Sequence, residues 1–250
     1  ELPGVPEIIA FGRATAGTSG NMLRNVAIDT AKSLHFYQWY FGTQVDCEQV
    51  WVSRIDANHG QSFDCFLQLG RATFEAESPG ASELFRAHEV AHQYWGHEVG
   101  WRTYRDQWLS EALAEYSAML FLEATMAESG YFEEILQVYT NEQLGSIKGS
   151  MSKFSRPWIS ELRRDAQRQQ LGPIGVGYRA GTYQVPFGYE VQAYNKGALV
   201  IHMLRMLLRS ISGDESLFRS VLSDFLATFR GSAASTEDLA MILEKHVKGD

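Results

Sequence analysis

Residues 88 to 92 read His-Glu-Val-Ala-His, and few five-residue stretches restrict a chain more. Histidines four apart lie one turn up the same face of an α-helix, so a helix here delivers both imidazoles to one point, about 6 Å along the axis. Such a pair can hold a metal ion, and H-E-x-x-H is the pattern of zinc hydrolase helices. Glu89 is rotated about 100° from His88 around the helix. From there it reaches a water on the metal without being a ligand, which makes it the candidate general base.

Catalytic zinc sites usually take three protein ligands and leave a fourth position to water, so a third ligand is expected downstream. Glu111 follows His92 after eighteen intervening residues, within Trp108-Leu109-Ser110-Glu111-Ala112-Leu113-Ala114-Glu115-Tyr116. Two antiparallel helices joined by a turn bring it back to the histidine pair. One zinc ion per chain, held by His88, His92 and Glu111, is the expectation.

This combination, H-E-x-x-H and then E within a W-L-x-E-x-x-A-x-Y frame, resembles the aminopeptidase N family of gluzincin metallopeptidases. His92-Gln93-Tyr94-Trp95-Gly96 is similar to that family's H-Q-W-F-G. The Phe41-Gly42 ending of a helical stretch from Asn25 resembles the family's y-F-G, and Tyr194-Asn195-Lys196-Gly197-Ala198 resembles its Y-x-K-G-A segment. The resemblance implies an α+β, thermolysin-like catalytic domain: a mixed β-sheet lobe over residues 1–80, then a mostly helical lobe over 81–250. It implies that Tyr194 donates a hydrogen bond to the oxygen that turns negative as a tetrahedral intermediate forms. It also implies flanking domains that this sequence does not include, so the chain reads as the catalytic piece of a longer protein, with a stand-alone enzyme of more open cleft as the alternative.

One segment departs from the family. Gly60-Gln61-Ser62-Phe63-Asp64 occupies the place of the relatives' G-x-M-E-N, whose glutamate pairs with the amino group of the substrate. Phe63 stands at the glutamate position, and Asp64 is expected on the outer face of the strand, with a place turned inward by register or a bulge, where it could meet the amino group, as the alternative. The backbone edge of that strand remains able to take up a peptide by β-augmentation. Peptidase action is therefore the primary reading, with the choice between exo- and endo-action left open. A zinc-binding scaffold derived from a peptidase is the alternative, and a hydrolase of another class, such as one opening an epoxide, is a more distant one.

Other positions carry expectations too. His97 and Glu98 read as loop polar groups, His202 as a core histidine, and Glu115 as a solvated helix residue, with orientation of a ligating histidine as its alternative role. Tyr178, Tyr183 and Tyr189 read as pocket-shaping residues in a loop from Leu171 to Gly188, where specificity is expected to reside. The charged run Glu161 to Arg168 reads as a solvated face. Cys47 and Cys65 are expected as two buried free thiols, with a single bridge between neighbouring strands as the alternative. A strand is expected near Ile8–Phe11, the resemblance implies another at Gln49–Ile55 after the Phe41-Gly42 helix ending, and helices are expected at 106–127, 192–209, 211–224 and 235–246.

Composition bounds the partners. A formal net charge of −8, from 22 basic and 30 acidic residues without a basic run, gives no footprint for nucleic acid or an anionic membrane. No stretch approaches the roughly 18 apolar residues that a membrane span needs. A peptide or protein substrate is the expected partner. The compartment stays open, with an extracellular or periplasmic setting preferred over a cytoplasmic one.

Overall fold

A computed structural model describes residues 2–12, 20–57, 59–75, 78–143, 172–183 and 187–248. Strand β1 (Glu7–Phe11) leads to helix α1 (Gly20–Phe41), then β2 (Gln49–Ile55), β3 (Gln61–Phe63), β4 (Phe66–Gly70) and the single turn α2 (Ala72–Glu75). The four strands form one mixed sheet in the order β1-β2-β4-β3, with β1, β2 and β4 parallel and β3 antiparallel on the edge. Alternation decides its faces. Val50, Val52, Leu67 and Leu69 point into the core, while Trp51 is exposed on the other side.

Helices dominate the remainder: α3 (Ala81–Ala91), α4 (Gln107–Thr125), α5 (Tyr131–Gln143), α6 (Gly197–Ser212), α7 (Ser216–Phe229) and α8 (Thr236–Lys248). The α+β class stands. Among the described residues no helix is long and apolar enough to cross a membrane. Tyr37, Phe41, Tyr94 and Trp95 interlock in the core, with Phe41 and Trp95 ring centroids 5.0 Å apart. Tyr37 Oη also donates to Ala87 O on α3 at 2.9 Å, so α1 holds the helix that carries the histidines.

Several boundaries differ from the sequence reading, each for a local reason. Ile211 belongs to α6 rather than to the next helix, because Gly213 at φ +83° provides the left-handed stop only after Ser212. Residues Ile174–Ala180, expected as loop, form a 3-10 segment. The approach to α6 begins at Gly188 and passes through a π-helical stretch, Val191–Lys196, which carries Tyr194. A short parallel pair, β5 (Val99–Trp101) with β6 (Ser232–Ala234), was not foreseen from the sequence. The charged run 161–168 lies outside the described residues.

The cysteine expectation is corrected. Cys47 and Cys65 form a disulfide with their Cα atoms 5.8 Å apart. The cause is register: β2 pairs with β4 so that Trp51 faces Phe66, which sets the loop entering β2 beside the turn entering β4.

Candidate metal centre

Glycines and caps place the first two side chains. Gly80, at φ +85°, starts α3, and Glu83 accepts a hydrogen bond from its amide at 2.7 Å. After His92 the chain turns sharply, and Gly96 (φ +137°) permits this: a Cβ there would stand 3.0 Å from Ser110 Oγ. α4 then packs against α3 and returns Glu111 to the histidine pair. His88 Nε2 and His92 Nε2 are 3.0 Å apart, and Glu111 Oε2 lies 3.6 Å from the first and 3.3 Å from the second.

This set fits a small tetrahedral cation. Ligand atoms about 2.0–2.2 Å from a tetrahedral centre are about 3.3 Å from each other, and the three observed separations straddle that value. Glu111 Oε2 is buried without a hydrogen-bond donor, a costly arrangement in the absence of a positive partner. His97 lies against the Ser62 backbone, and Glu98 makes a two-pronged ion pair with Arg230 at 2.8 and 3.0 Å, so neither joins the cluster.

The outer nitrogens of both imidazoles are held. His92 Nδ1 is 2.9 Å from Trp95 O, a carbonyl that also accepts from Ser110 Oγ at 2.6 Å. A donor at Nδ1 leaves the Nε2 lone pair for a metal. His88 Nδ1 lies 2.7 Å from Glu115 Oε2, and Tyr139 Oη donates to the other oxygen of that carboxylate. The expectation of a solvated Glu115 is thereby overturned: the residue is 1% exposed. The reason is that α4 is covered on nearly every side, so a polar residue on it points inward at a partner.

Charge follows from this crowding. Burial opposes protonation of His88, yet the carboxylates of Glu111 and Glu115, with Glu89 nearby, raise its pKa to about 10. His92 is raised too, against the same burial, chiefly by Glu111. Burial likewise works against ionised Glu111, but the two imidazoles hold its carboxyl well below the usual range. The carboxylates thus favour positive charge among the imidazoles, supplied by protons or by a cation that displaces them.

Glu89 is buried, and its carboxylate faces the start of β3: a Cβ on Gly60 would stand 2.2 Å from Glu89 Oε1. Tyr194 stacks on His88 at 5.4 Å between ring centroids, Tyr189 meets Tyr194 edge-on at 6.1 Å, and Tyr178 stacks on Tyr189 at 4.1 Å. All five residues singled out in the sequence are thus gathered around one point. Phe63 is exposed on β3, and Asp64 is exposed in the turn that follows. His202 is half-buried and hydrogen-bonds Tyr116 Oη through Nδ1 at 2.8 Å.

Sequence reasoning missed Gln93, Gly60 and Tyr139. Gln93 is buried and clamps the β3–β4 hairpin to the end of α3: its Oε1 accepts from Cys65 N at 2.9 Å, and its Nε2 donates to Ser62 Oγ at 2.7 Å and Phe63 O at 2.9 Å. Its place directly after His92 was the available signal. For Gly60 the signal was the leading glycine of the segment matched to G-x-M-E-N. Tyr139, on a different helix, had none.

With the donors in place, comparison with known proteins becomes informative. The family model "Peptidase family M1 domain" matches residues 81–250, and the chain belongs to that family. It is 27% identical over 223 residues to Aminopeptidase M1-C of Oryza sativa subsp. japonica, covering 86% of this chain and 22% of that protein. It is 27% identical over 221 residues to Endoplasmic reticulum aminopeptidase 2 of Homo sapiens, covering 83% and 20%. The chain thus spans about a fifth of the length of these curated relatives. The crystal structure of an M1 zinc metallopeptidase from Deinococcus radiodurans superposes with a TM-score of 0.62 at 20% identity, over 94% of this chain and 43% of that one. That likeness establishes the fold.

Proposed function

We propose that this chain is the catalytic domain of a zinc metallopeptidase that hydrolyses peptide bonds, and that His88, His92 and Glu111 hold the ion. The observation that carries this is the convergence of the three donors within 3.6 Å, beside a buried carboxylate on the next residue of the same helix. Membership of peptidase family M1 supports it. Zinc, when bound, polarises a carbonyl and lowers the pKa of a water towards about 7.

The protein's own groups do the rest. Glu115, itself held by Tyr139, fixes the ring of His88, and Trp95 O fixes that of His92. Glu89 accepts the proton of the attacking water and returns it to the leaving amine. Tyr194 donates to the developing oxyanion, a role whose loss costs about 3–4 kcal/mol of transition-state stabilisation in comparable sites. The edge of β3 aligns the peptide by main-chain pairing. Further domains of the same protein are part of this proposal, supported by the greater length of the relatives. The Cys47–Cys65 bridge supports an oxidising compartment, extracellular or periplasmic.

The test pairs metal analysis with a Glu89→Gln variant. A peptidase of this design keeps its zinc and loses turnover. A scaffold shows no turnover in either form.

A further inference from the structure

A second feature opens between the 101–106 turn, the 3-10 segment Ile174–Ala180 and the start of α8. It is a cavity of about 410 Å³, lined by Tyr104, Arg105, Trp108, Ile174, Arg179 and Glu237 among others, within the size range of ligand sites. Its position ties it to the chemistry. Trp108 is one helical turn before Glu111 on α4, about 4.5 Å along the axis. Ile174 Cδ1 would be 3.7 Å from a Cβ on Gly197, one turn after Tyr194. The cavity thus shares α4 and the neighbourhood of Gly197 with the metal centre.

Two exposed arginines lie against one ring here, Arg105 also donating through Nε to Tyr104 Oη at 3.2 Å. The Arg105 and Arg179 Cζ atoms lie 5.6 and 5.1 Å from the centroid of the same Tyr104 ring. Water screens the repulsion between these exposed charges, and an anion placed between them would interact favourably with both. Among the described residues neither arginine has a carboxylate partner, whereas Arg86, Arg102, Arg205 and Arg230 each have one. The acidic groups on the same wall do not answer them. Asp106 already accepts four hydrogen bonds, from Thr103 and Thr236, and Glu237 makes no ion pair with either arginine. The two segments are packed closely: Gly177, at φ +60°, seats the 3-10 segment so that a Cβ there would stand 2.6 Å from Tyr104 O.

We propose that this cavity is a subsite for a carboxylate of the substrate peptide, gripped by Arg105 and Arg179 over the Tyr104 ring. Guanidinium forks match a carboxylate in a way that a lysine does not. The assignment deepens the peptidase reading and rests on it for the identity of the ligand. The carboxylate comes either from the peptide's C-terminus or from an acidic side chain, and the experiment separates the two.

The test measures binding to the zinc-loaded Glu89→Gln chain, so that turnover does not interfere. Pools of short peptides are prepared as free acids, as C-terminal amides, and as amides carrying one aspartate. Free acids or aspartate peptides are expected to bind about tenfold tighter than plain amides, about 1.4 kcal/mol, and whichever form is preferred names the source. The Arg105→Gln/Arg179→Gln variant, with its melting temperature checked, is expected to bring the ratio close to one while plain amides bind as before. A merely structural role would weaken all forms together. Equal binding of all forms by the unaltered arginine pair overturns the assignment. So does a preference that survives in the double variant, or an absence of binding in every form. If the wild-type chain cleaves no peptide while the arginine-dependent preference is present, the peptidase reading fails and the carboxylate site stands.

Discussion

Glu115 Oε2 lies 2.7 Å from Nδ1 of His88, and both groups are buried. A carboxylate there fixes the tautomer and orientation of the imidazole and raises its basicity towards a metal, and loss of such a partner typically costs 10–100-fold in metal affinity. The Glu115→Gln variant is therefore expected to bind zinc about 10- to 100-fold more weakly than the wild type. A chelator-competition titration measures this, and unchanged affinity would refute the assigned role.

Gly60 tests the approach of β3 to the base. A methyl group at this position overlaps Glu89 Oε1, and the carboxylate, as the end of a flexible side chain, is what moves. Gly60→Ala should lower kcat by an order of magnitude or more, since misplacement of a catalytic group by about 1 Å costs up to about a hundredfold. The melting temperature should change little. Steady-state kinetics alongside calorimetry separates this from a general loss of structure.

Gln93→Ala leaves Cys65 N, Ser62 Oγ and Phe63 O without the buried amide that now joins them. Each such vacancy in a buried site costs about 1–3 kcal/mol. Because the clamp holds the strand that aligns substrate, KM should rise more than kcat falls, with zinc retained. A loss confined to kcat would argue against strand positioning.

Asp106 links the start of α4 to that of α8. Burial pushes its pKa up, but the hydrogen bonds from Thr236 and Thr103 outweigh burial and hold the carboxyl below its ordinary 3.8. A folded pKa below the unfolded one contributes stability that is present above the unfolded value and is lost as pH falls through the folded value. The advantage of the wild type over Asp106→Asn in melting temperature should hold at neutral pH and shrink below about pH 4. A difference that stays constant down to acid would contradict this.

The donor set was legible because its geometry is local. Spacing of four fixes His88 on α3 against His92 at its C-cap, and Glu111 needs only one antiparallel return. The resemblance placed a strand after the Phe41-Gly42 helix ending, and β2 lies at the expected bounds, Gln49–Ile55. What escaped depends on distant chain. The three-residue strands β5 and β6 pair across more than a hundred positions, and the disulfide depends on the register of β2 against β4. Glu115 was misread because α4 is apolar nearly all round, so periodicity carries no inward direction for it. The π-helical stretch that carries Tyr194 has no sequence period of its own.

The central claim is that three side chains from two helices hold one divalent ion. Zinc bound per chain, measured on the wild type and on Glu111→Ala after equilibration with a competing chelator, tests it most directly. The account predicts one zinc per wild-type chain and a large fall in affinity on loss of the carboxylate. Equal zinc retention by both proteins would contradict it.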